Sequence, residues 1–418
     1  MHHFQYVNGQ LHCEGVRLSD IAKEVGTPFY CYSHATLTAH LKAFQDAFAG
    51  ADSLVCYSVK VCSNLAILKT LFSRGAGADI VSGGELYRAL SAGADPRKIV
   101  FSGVGKRDDE IRYALANSIL MLNVESPLEL YNINRIASEM GVTAPVSIRV
   151  NPDVDPRTHA YISTGLKKNK FGIAIERALI EYRAAREMKN LEIVGVDCHI
   201  GSQITELSPF VDALGKIRGL VEELKSEGLD IKYFDIGGGL GIPYDDETPP
   251  HPDEYGKAVV DAVGDMGLKL IMEPGRAIAG NAAVLVGRVV YTKDGETKRF
   301  LIGDAGMNDL IRPSLYGSFH AIKPLKETVA RINGDLVGPI CESGDFLAKD
   351  RELPDLGPGD LFAAMSAGGY GFSMSSNYNS RPRAAEVMVK GGEFRVVRKR
   401  ETYEDLVRGE DAAGDFFL

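Results

Sequence analysis

No stretch of the chain approaches the ~20 consecutive apolar residues that an α-helix needs to cross a bilayer. Basic residues are in deficit, 47 against 56 acidic for a net charge of −9, which argues against nucleic acid or an anionic membrane as the main partner. CxxC pairs are missing. The six cysteines (Cys13, Cys31, Cys56, Cys62, Cys198 and Cys341) are scattered and read as free thiols of a reducing compartment, excluding a disulfide or zinc framework. The start, MHHFQYVNGQ, lacks a basic segment followed by an apolar one, so no signal peptide is expected. Low-complexity segments and repeats of fixed period are also absent, which excludes a solenoid. These absences point to the cytoplasm. What remains is a chain of 418 residues, 45% hydrophobic and 25% charged, as in ordinary soluble proteins. Single cores stop growing near ~250–300 residues, so more than one core is expected.

From residue 54 to 272 short apolar runs alternate with segments of helical period. The runs are Leu54–Val59, Ala78–Val81, Ile99–Phe101, Ile119–Val124, Val146–Val150, Ile193–Cys198, Tyr233–Ile236 and Leu268–Met272. Helical spacing separates most of them, as in Leu65–Phe72, Pro127–Met140 and Phe210–Leu224, and His34–Phe48 precedes the series. Eight alternations predict an α/β fold, a (β/α)8 barrel over residues 31–280, with a doubly wound open sheet as the alternative. After residue 280 strand-like runs dominate, among them Ala283–Tyr291, Lys298–Ile302, His320–Pro324, Leu361–Met365 and Arg383–Val389, with a helix only at Glu401–Val407. A β-rich domain, sandwich- or barrel-like, is expected over 281–418, joined by residues 1–30.

Catalytic groups of such barrels collect where strands end at their carboxyl side. Those positions hold Lys60, Asp79, Ser102, Asn123 with Glu125, Arg149 with Asn151, His199, Gly237–Gly239, and Glu273 with Arg276. Polar residues at strand ends also serve solubility, so each alone says little. Lys60 follows the first run in YSVK; an ammonium among apolar neighbours loses hydration and becomes a nucleophile toward a carbonyl. Gly237, Gly238 and Gly239 in DIGGGLG offer backbone N–H groups to an anion without Cβ interference, although a tight turn would also use glycine. The segment EPGR, with Gly275 and Arg276, ends the eighth strand beside them. A nucleophilic lysine, a phosphate cradle and an acid opposite describe the needs of pyridoxal phosphate, whose ring nitrogen requires an acidic partner. His199 in HIGSQ can stack on the ring and Ser202 can donate to the phosphate.

These segments, with RPSLYGSFH, GPICESGDFLAKDRELP and GYGFSMSSNYNSRPR further on, resemble the fold-type III pyridoxal-phosphate decarboxylases over essentially the whole chain. The similarity is greatest to the branch acting on meso-2,6-diaminopimelate. Two departures are small: the family more often flanks the lysine with alanines, and has alanine at Gly369. The resemblance implies a barrel plus β domain in a homodimer, with Lys60 from one subunit and Cys341 and Glu342 from the other at each site. It implies that Cys341 protonates the substrate carbon after loss of CO2 at the D-centre, giving L-lysine. Tyr370 is implied against the cofactor and the reacting end. For the distal end, Arg276, Arg312 and Tyr316 suit the carboxylate and Glu342 the ammonium. Decarboxylases of ornithine or arginine, an amino-acid racemase and an inert homologue stay open; Glu273, where a racemase would offer arginine to the ring nitrogen, disfavours the racemase. The segment Lys167–Gly172, after the fifth strand, is a candidate for closing over the site.

Overall fold

The computed structural model describes residues 2–156, 158, 164–166 and 169–411. The chain divides into two compact units, Leu37–Gly280 and Met1–Thr36 with Asn281–Leu418. In the first, eight parallel strands follow in order: Ser53–Ser58, Gly77–Ile80, Ile99–Phe101, Met121–Val124, Ala144–Asn151, Leu191–Asp197, Tyr233–Asp235 and Lys269–Met272. The eighth pairs back onto the first, Ile271 opposite Leu54, so the sheet closes into a barrel. The strands are buried on both faces, which is why they read as continuous apolar runs rather than alternating ones. The helices between them start where the sequence supplies caps: Ser82 accepts from Glu85 N, Asn64 from Ala66 N, and Ser126 from Glu129 N with Pro127 at the first helical position.

Along the barrel the filling changes character. Leu54, Cys56, Val100, Met121, Val194 and Ile271 form an apolar cluster. Toward the carboxyl ends the buried side chains are Ser58, Asp79, Ser102, Asn123, Arg149, Asp197, Asp235 and Glu273. A polar upper storey on an apolar floor lets charged groups meet out of bulk water, at the end where barrel loops build sites.

In the second unit the long strand Ala283–Asp294 is the spine. Its first half pairs antiparallel with Phe29–Ser33 and Leu361–Ala364, its second half with Arg299–Gly303. Ala385–Lys390 runs parallel to Phe29–Ser33, which draws the N-terminal segment into the sheet. The core under it holds Phe29, Cys31, Val284, Val286, Ala363, Val387 and Val389, with Phe4, Leu11, Leu18 and Ile21 from the first residues. Three strands of this sheet, Arg331–Val337, Phe346–Pro354 and Glu393–Arg398, are not legible in the sequence. Most of their exposed positions are charged or polar, and Glu393–Arg398 has no fully buried residue, so no apolar period marks it. The expected terminal helix over Glu401–Val407 is a single turn, Tyr403–Leu406.

Asp309 lies buried in this unit, its Oδ2 accepting from Gly306 N at 3.1 Å while its carbonyl accepts from the Tyr30 hydroxyl at 2.5 Å. Burial pushes its carboxyl up to about 7 from 3.8. The folded chain therefore holds a proton that the unfolded chain releases at lower pH. This contribution to stability is fully present below pH ~4 and is lost as the pH rises through ~7, each pH unit in between removing about 1.4 kcal/mol. Asp309→Asn removes the titration. Thermal melts at pH 5 and pH 8 should show the wild type losing more stability than the variant across that interval; equal losses would contradict the burial argument.

Candidate active site

The first strand ends at Ser58, and a 3-10 turn, Val59–Val61, carries Lys60 over the barrel mouth. Apolar surroundings, expected from the sequence, are not what the lysine finds. Its Nζ lies 2.5 Å from Asp79 Oδ2, and the Asp79 side chain is fully buried. The Ser58 hydroxyl, in register with Asp79, stands 2.7 Å from the same Oδ2 and 3.0 Å from the Glu273 carbonyl oxygen. Ion pairing, not desolvation among hydrocarbons, governs this amine. Asp79 Oδ1 is buried and has no hydrogen-bond partner among the described residues.

Three loops interlock at the ends of strands six, seven and eight. Gly237 and Gly239 have φ of +65° and +120°, a region that side chains other than glycine rarely adopt. A Cβ on Gly238 would stand 2.2 Å from the Glu273 carbonyl oxygen, and one on Gly237 2.6 Å from the Cys198 carbonyl oxygen. Each glycine thus has a steric reason of its own, and the number of glycines by itself does not argue for an anion cradle. The turn does position chemistry. Gly238 N donates to His199 Nδ1 at 3.1 Å, which puts the imidazole proton on Nε2. Burial, then Arg149 and Lys60, hold the His199 pKa well below 6.5, so the ring is neutral. Gly275 packs against Ser58 and Val61, and a Cβ there would stand 2.3 Å from Val61 Cγ2, which ties EPGR to the lysine turn.

Glu273 is buried, with Oε1 3.3 Å from the Ser102 hydroxyl. Burial pushes its carboxyl well above the usual range, and the neighbouring carboxyls of Asp235, Asp79 and Asp197 add to the rise while Lys60 opposes it. Asp197 is also pushed up by burial and by Asp235, and Asp235 rises to about 6 through burial although Gly237 N and the Asn123 amide hold its carboxylate. Burial therefore favours the protonated form of Glu273 and Asp197. Arg276 follows Glu273 by three residues. Its Nε and Nη2 each lie 3.2 Å from Ser202 Oγ, and its Nη1 donates to the Tyr244 hydroxyl at 2.6 Å. Arg149 and Glu125 form a buried pair at 2.8 Å, and Glu125 Oε2 also takes Gly172 N at 2.8 Å.

The other unit holds the remaining expected residues. Arg312 is buried, with Nη1 2.9 Å from His320 Nε2 and Nη2 3.2 Å from Ser318 Oγ. Tyr316 follows one turn later in Arg312–Tyr316 and is half-buried. Cys341 is the one exposed thiol among the described cysteines, and its N–H donates to Asn379 Oδ1 at 2.7 Å. Glu342 Oε2 takes the Tyr378 hydroxyl at 2.8 Å. The CESGD string gains a reason from Asp345, whose carboxylate accepts from Met307 N at 2.6 Å and Ile340 N at 2.7 Å and so fixes the turn that presents Cys341. Tyr370 is half-buried with φ +58°, a strained conformation of the kind held at functional positions.

Residues 34–280 match the family model described as pyridoxal-dependent decarboxylase, pyridoxal binding domain. The diaminopimelate decarboxylase of Pseudomonas aeruginosa is 54% identical over 410 residues, covering 97% of this chain and 98% of that one. The chain belongs to the diaminopimelate decarboxylase family. Among solved structures, the family's enzyme from Helicobacter pylori, complexed with L-lysine, superposes with a TM-score of 0.91 at 45% identity, covering 93% of this chain and 98% of that one. The M. jannaschii enzyme in co-complex with L-lysine gives 0.93 at 38%, covering 98% and 97%.

This decarboxylase uses pyridoxal phosphate, and its residues fit that cofactor. A lysine amine stands at the barrel mouth beside an orphaned carboxylate oxygen of Asp79. Glu273, whose carboxyl burial pushes up, suits a ring nitrogen as its proton partner, and the guanidinium and hydroxyls of Arg276, Ser202 and Tyr244 suit a phosphate or carboxylate. Sequence reasoning missed Tyr244, Asp235 and Asp345, which carry no signal of spacing because each acts through contacts made only in the fold. Of the expected closing segment Lys167–Gly172, Lys167 and Lys168 lie outside the described residues. Among the described residues no helix is long and apolar enough to cross a membrane.

Gly238→Ala brings a Cβ against the Glu273 backbone. It should lower the melting temperature and weaken pyridoxal phosphate affinity about 5-fold or more, since overpacking by one carbon costs about 1–3 kcal/mol. A fluorescence titration with unchanged affinity and an unchanged melt would show that the turn yields freely.

Proposed function

We propose that this enzyme removes CO2 from the D-centre of meso-2,6-diaminopimelate and releases L-lysine, the last step of lysine biosynthesis. It does so in the cytoplasm as a homodimer with shared sites. The observation that carries the reading is the set of groups at one barrel mouth, Lys60 with Asp79, Glu273, and Arg276 with Ser202 and Tyr244, in a chain whose relatives were solved with L-lysine. The six free cysteines support a reducing compartment.

When bound, pyridoxal phosphate supplies an aldehyde for the substrate amine and a protonated ring that takes up the electron pair left as CO2 departs. Lys60 would hold the aldehyde in the resting enzyme, its amine oriented by Asp79 and Ser58. Neutral His199 would lie against the ring without adding charge. Glu273, its carboxyl pushed up by burial, would face the ring nitrogen and supply the proton that keeps the ring charged. Ser202, Arg276 and the backbone of Gly239 and Gly275 would serve the phosphate side, the N–H groups of Gly237 and Gly238 being engaged by Asp235 and His199, and Tyr370 the reacting end. Exposed Cys341 would deliver a proton to the substrate Cα, reaching the site from a second copy together with Glu342. Arg276, Arg312 and Tyr316 would take the distal carboxylate and Glu342 the distal ammonium, a pairing that selects a substrate carrying both charges.

Adding meso-diaminopimelate to the cofactor-loaded protein should release CO2 and L-lysine in equal amounts. Its kcat/KM should exceed that for ornithine by at least ~10⁴-fold, because ornithine brings no distal carboxylate to these arginines. Comparable turnover of ornithine would overturn the assignment. Sharing of sites has its own test. Lys60→Ala and Cys341→Ala should each be inactive, whereas co-expressing the two with separate tags should restore about a quarter of wild-type activity through mixed dimers. No recovery in isolated mixed dimers would mean that each subunit builds its site alone.

A further inference from the structure

Three neighbouring strands place polar side chains at one level of the barrel interior. Asn123 of the fourth strand stands opposite Ser147 of the fifth, and the pairing of Phe101 with Leu122 brings Ser102 level with Asn123. Ser102 N donates to the Ile80 carbonyl at 2.8 Å, which carries the third strand one residue beyond Phe101. All three side chains are buried. The hydrogen bonds among them run in one direction. Ser147 Oγ donates to Asn123 Oδ1 at 2.8 Å. The Asn123 amide has two protons and gives one to Asp235 Oδ2 and one to Ser102 Oγ, each at 3.1 Å. Turned the other way, the amide would set its carbonyl oxygen against the Asp235 carboxylate, two acceptors face to face. Having accepted from Asn123, Ser102 has one proton to place, and Glu273 Oε1 lies 3.3 Å from its oxygen. A row of neutral groups from three strands thus ends as a donor aimed at the acid beyond the eighth strand.

What this donor does follows from the charges around Glu273. Burial and the carboxyls of Asp235, Asp79 and Asp197 favour a proton that stays on Glu273, while the cations Lys60 and Arg149 act against them. A hydrogen bond also joins the Glu273 and Asp235 carboxyls. These acids compete with a ring nitrogen for the proton. A hydrogen bond to a carboxylate is stronger than the same bond to a neutral carboxyl. The Ser102 hydroxyl therefore favours the state in which the proton has left the Glu273 oxygen for the ring nitrogen and the negative charge stays on the carboxylate. No other reactant enters.

We infer that Ser102, oriented by Asn123, is a positioning residue that keeps the cofactor's ring nitrogen protonated by stabilising the Glu273 carboxylate. The inference rests on the reading that sets Glu273 at the ring nitrogen, and deepens it. Ser147 offers the contrast. Its hydroxyl belongs to the same buried row, yet without it the Asn123 amide is still turned by Asp235.

The test loads the enzyme with pyridoxal phosphate isotopically labelled at the ring nitrogen and reads that nitrogen by NMR, where protonated and neutral rings resonate far apart. The wild-type signal should stand at the protonated position. Ser102→Ala, at equal cofactor content, should move it toward the neutral position and slow CO2 release from meso-diaminopimelate in a single turnover about fivefold or more. Ser147→Ala should lower the melting temperature without moving the signal. In a Glu273→Gln background, Ser102→Ala should shift nothing further. The proposal is overturned by a neutral wild-type ring, by a signal that moves with Glu273→Gln but not with Ser102→Ala, by an equal shift from Ser147→Ala, or by a full Ser102→Ala shift in the Glu273→Gln background. A signal indifferent to Glu273→Gln would overturn the placement of Glu273 at the ring, and the proposal with it. Should the wild type leave meso-diaminopimelate untouched, the assigned function falls while the nitrogen signal still decides the role of Ser102.

Discussion

The contact between Lys60 and Asp79 sets the terms for the rest of the barrel mouth. Asp79 is fully buried, and one of its oxygens takes both the Ser58 hydroxyl and the Lys60 ammonium. A carboxylate removed from water needs a cation, and a partly exposed lysine can supply one. The pair therefore draws the lysine down from the end of its strand and places the amine over the polar storey of the barrel. The same rule recurs around it: Arg149 answers Glu125, and the buried Lys106 side chain answers Glu129 at 2.7 Å while also donating to the Gly103 and Asn123 carbonyls. Carboxyls left over from these pairings, Asp197, Asp235 and Glu273, are pushed upward by burial, Asp235 only to about 6. A raised carboxyl at Glu273 follows from the balance of charge in a crowded, dry space, and such an acid can share its proton with a basic ring nitrogen.

Around that charge pattern the loops act as a single brace. The glycine turn gives a proton donor to His199, takes its register from Ile204, and presses Gly238 against the Glu273 backbone. His199, Glu273 and Arg276 are thereby held by one another's loops, not by their own helices. Sites on interlocked backbone tolerate little motion, which suits chemistry that depends on which groups stand beside the breaking bond.

Much of this was legible from the residues. Eight apolar runs with helical segments between them predict the closed barrel, because strands buried on both faces cannot hide their composition. Lys60, His199, Glu273 and Arg276 were visible as polar groups at the ends of those runs. The strand Glu393–Arg398 was not, since it packs little and alternates nothing. Nor was the Asp79 partnership, which contradicts the expectation of an apolar pocket for Lys60: register between the first two strands, not any spacing along the chain, makes it. Tyr244 escaped for the same reason, its partner lying 32 residues away. Composition reports burial, whereas pairing is a property of the fold.

The most direct measurement asks which amine carries the cofactor. Borohydride reduction of the pyridoxal-phosphate-loaded enzyme, followed by digestion and mass spectrometry, fixes the pyridoxyl group on whichever lysine holds it. The label is predicted on the peptide containing Lys60 and on no other. A label on Lys106 or any other lysine, with Lys60 unmodified, would contradict the claim that the Asp79-paired amine is the reactive one.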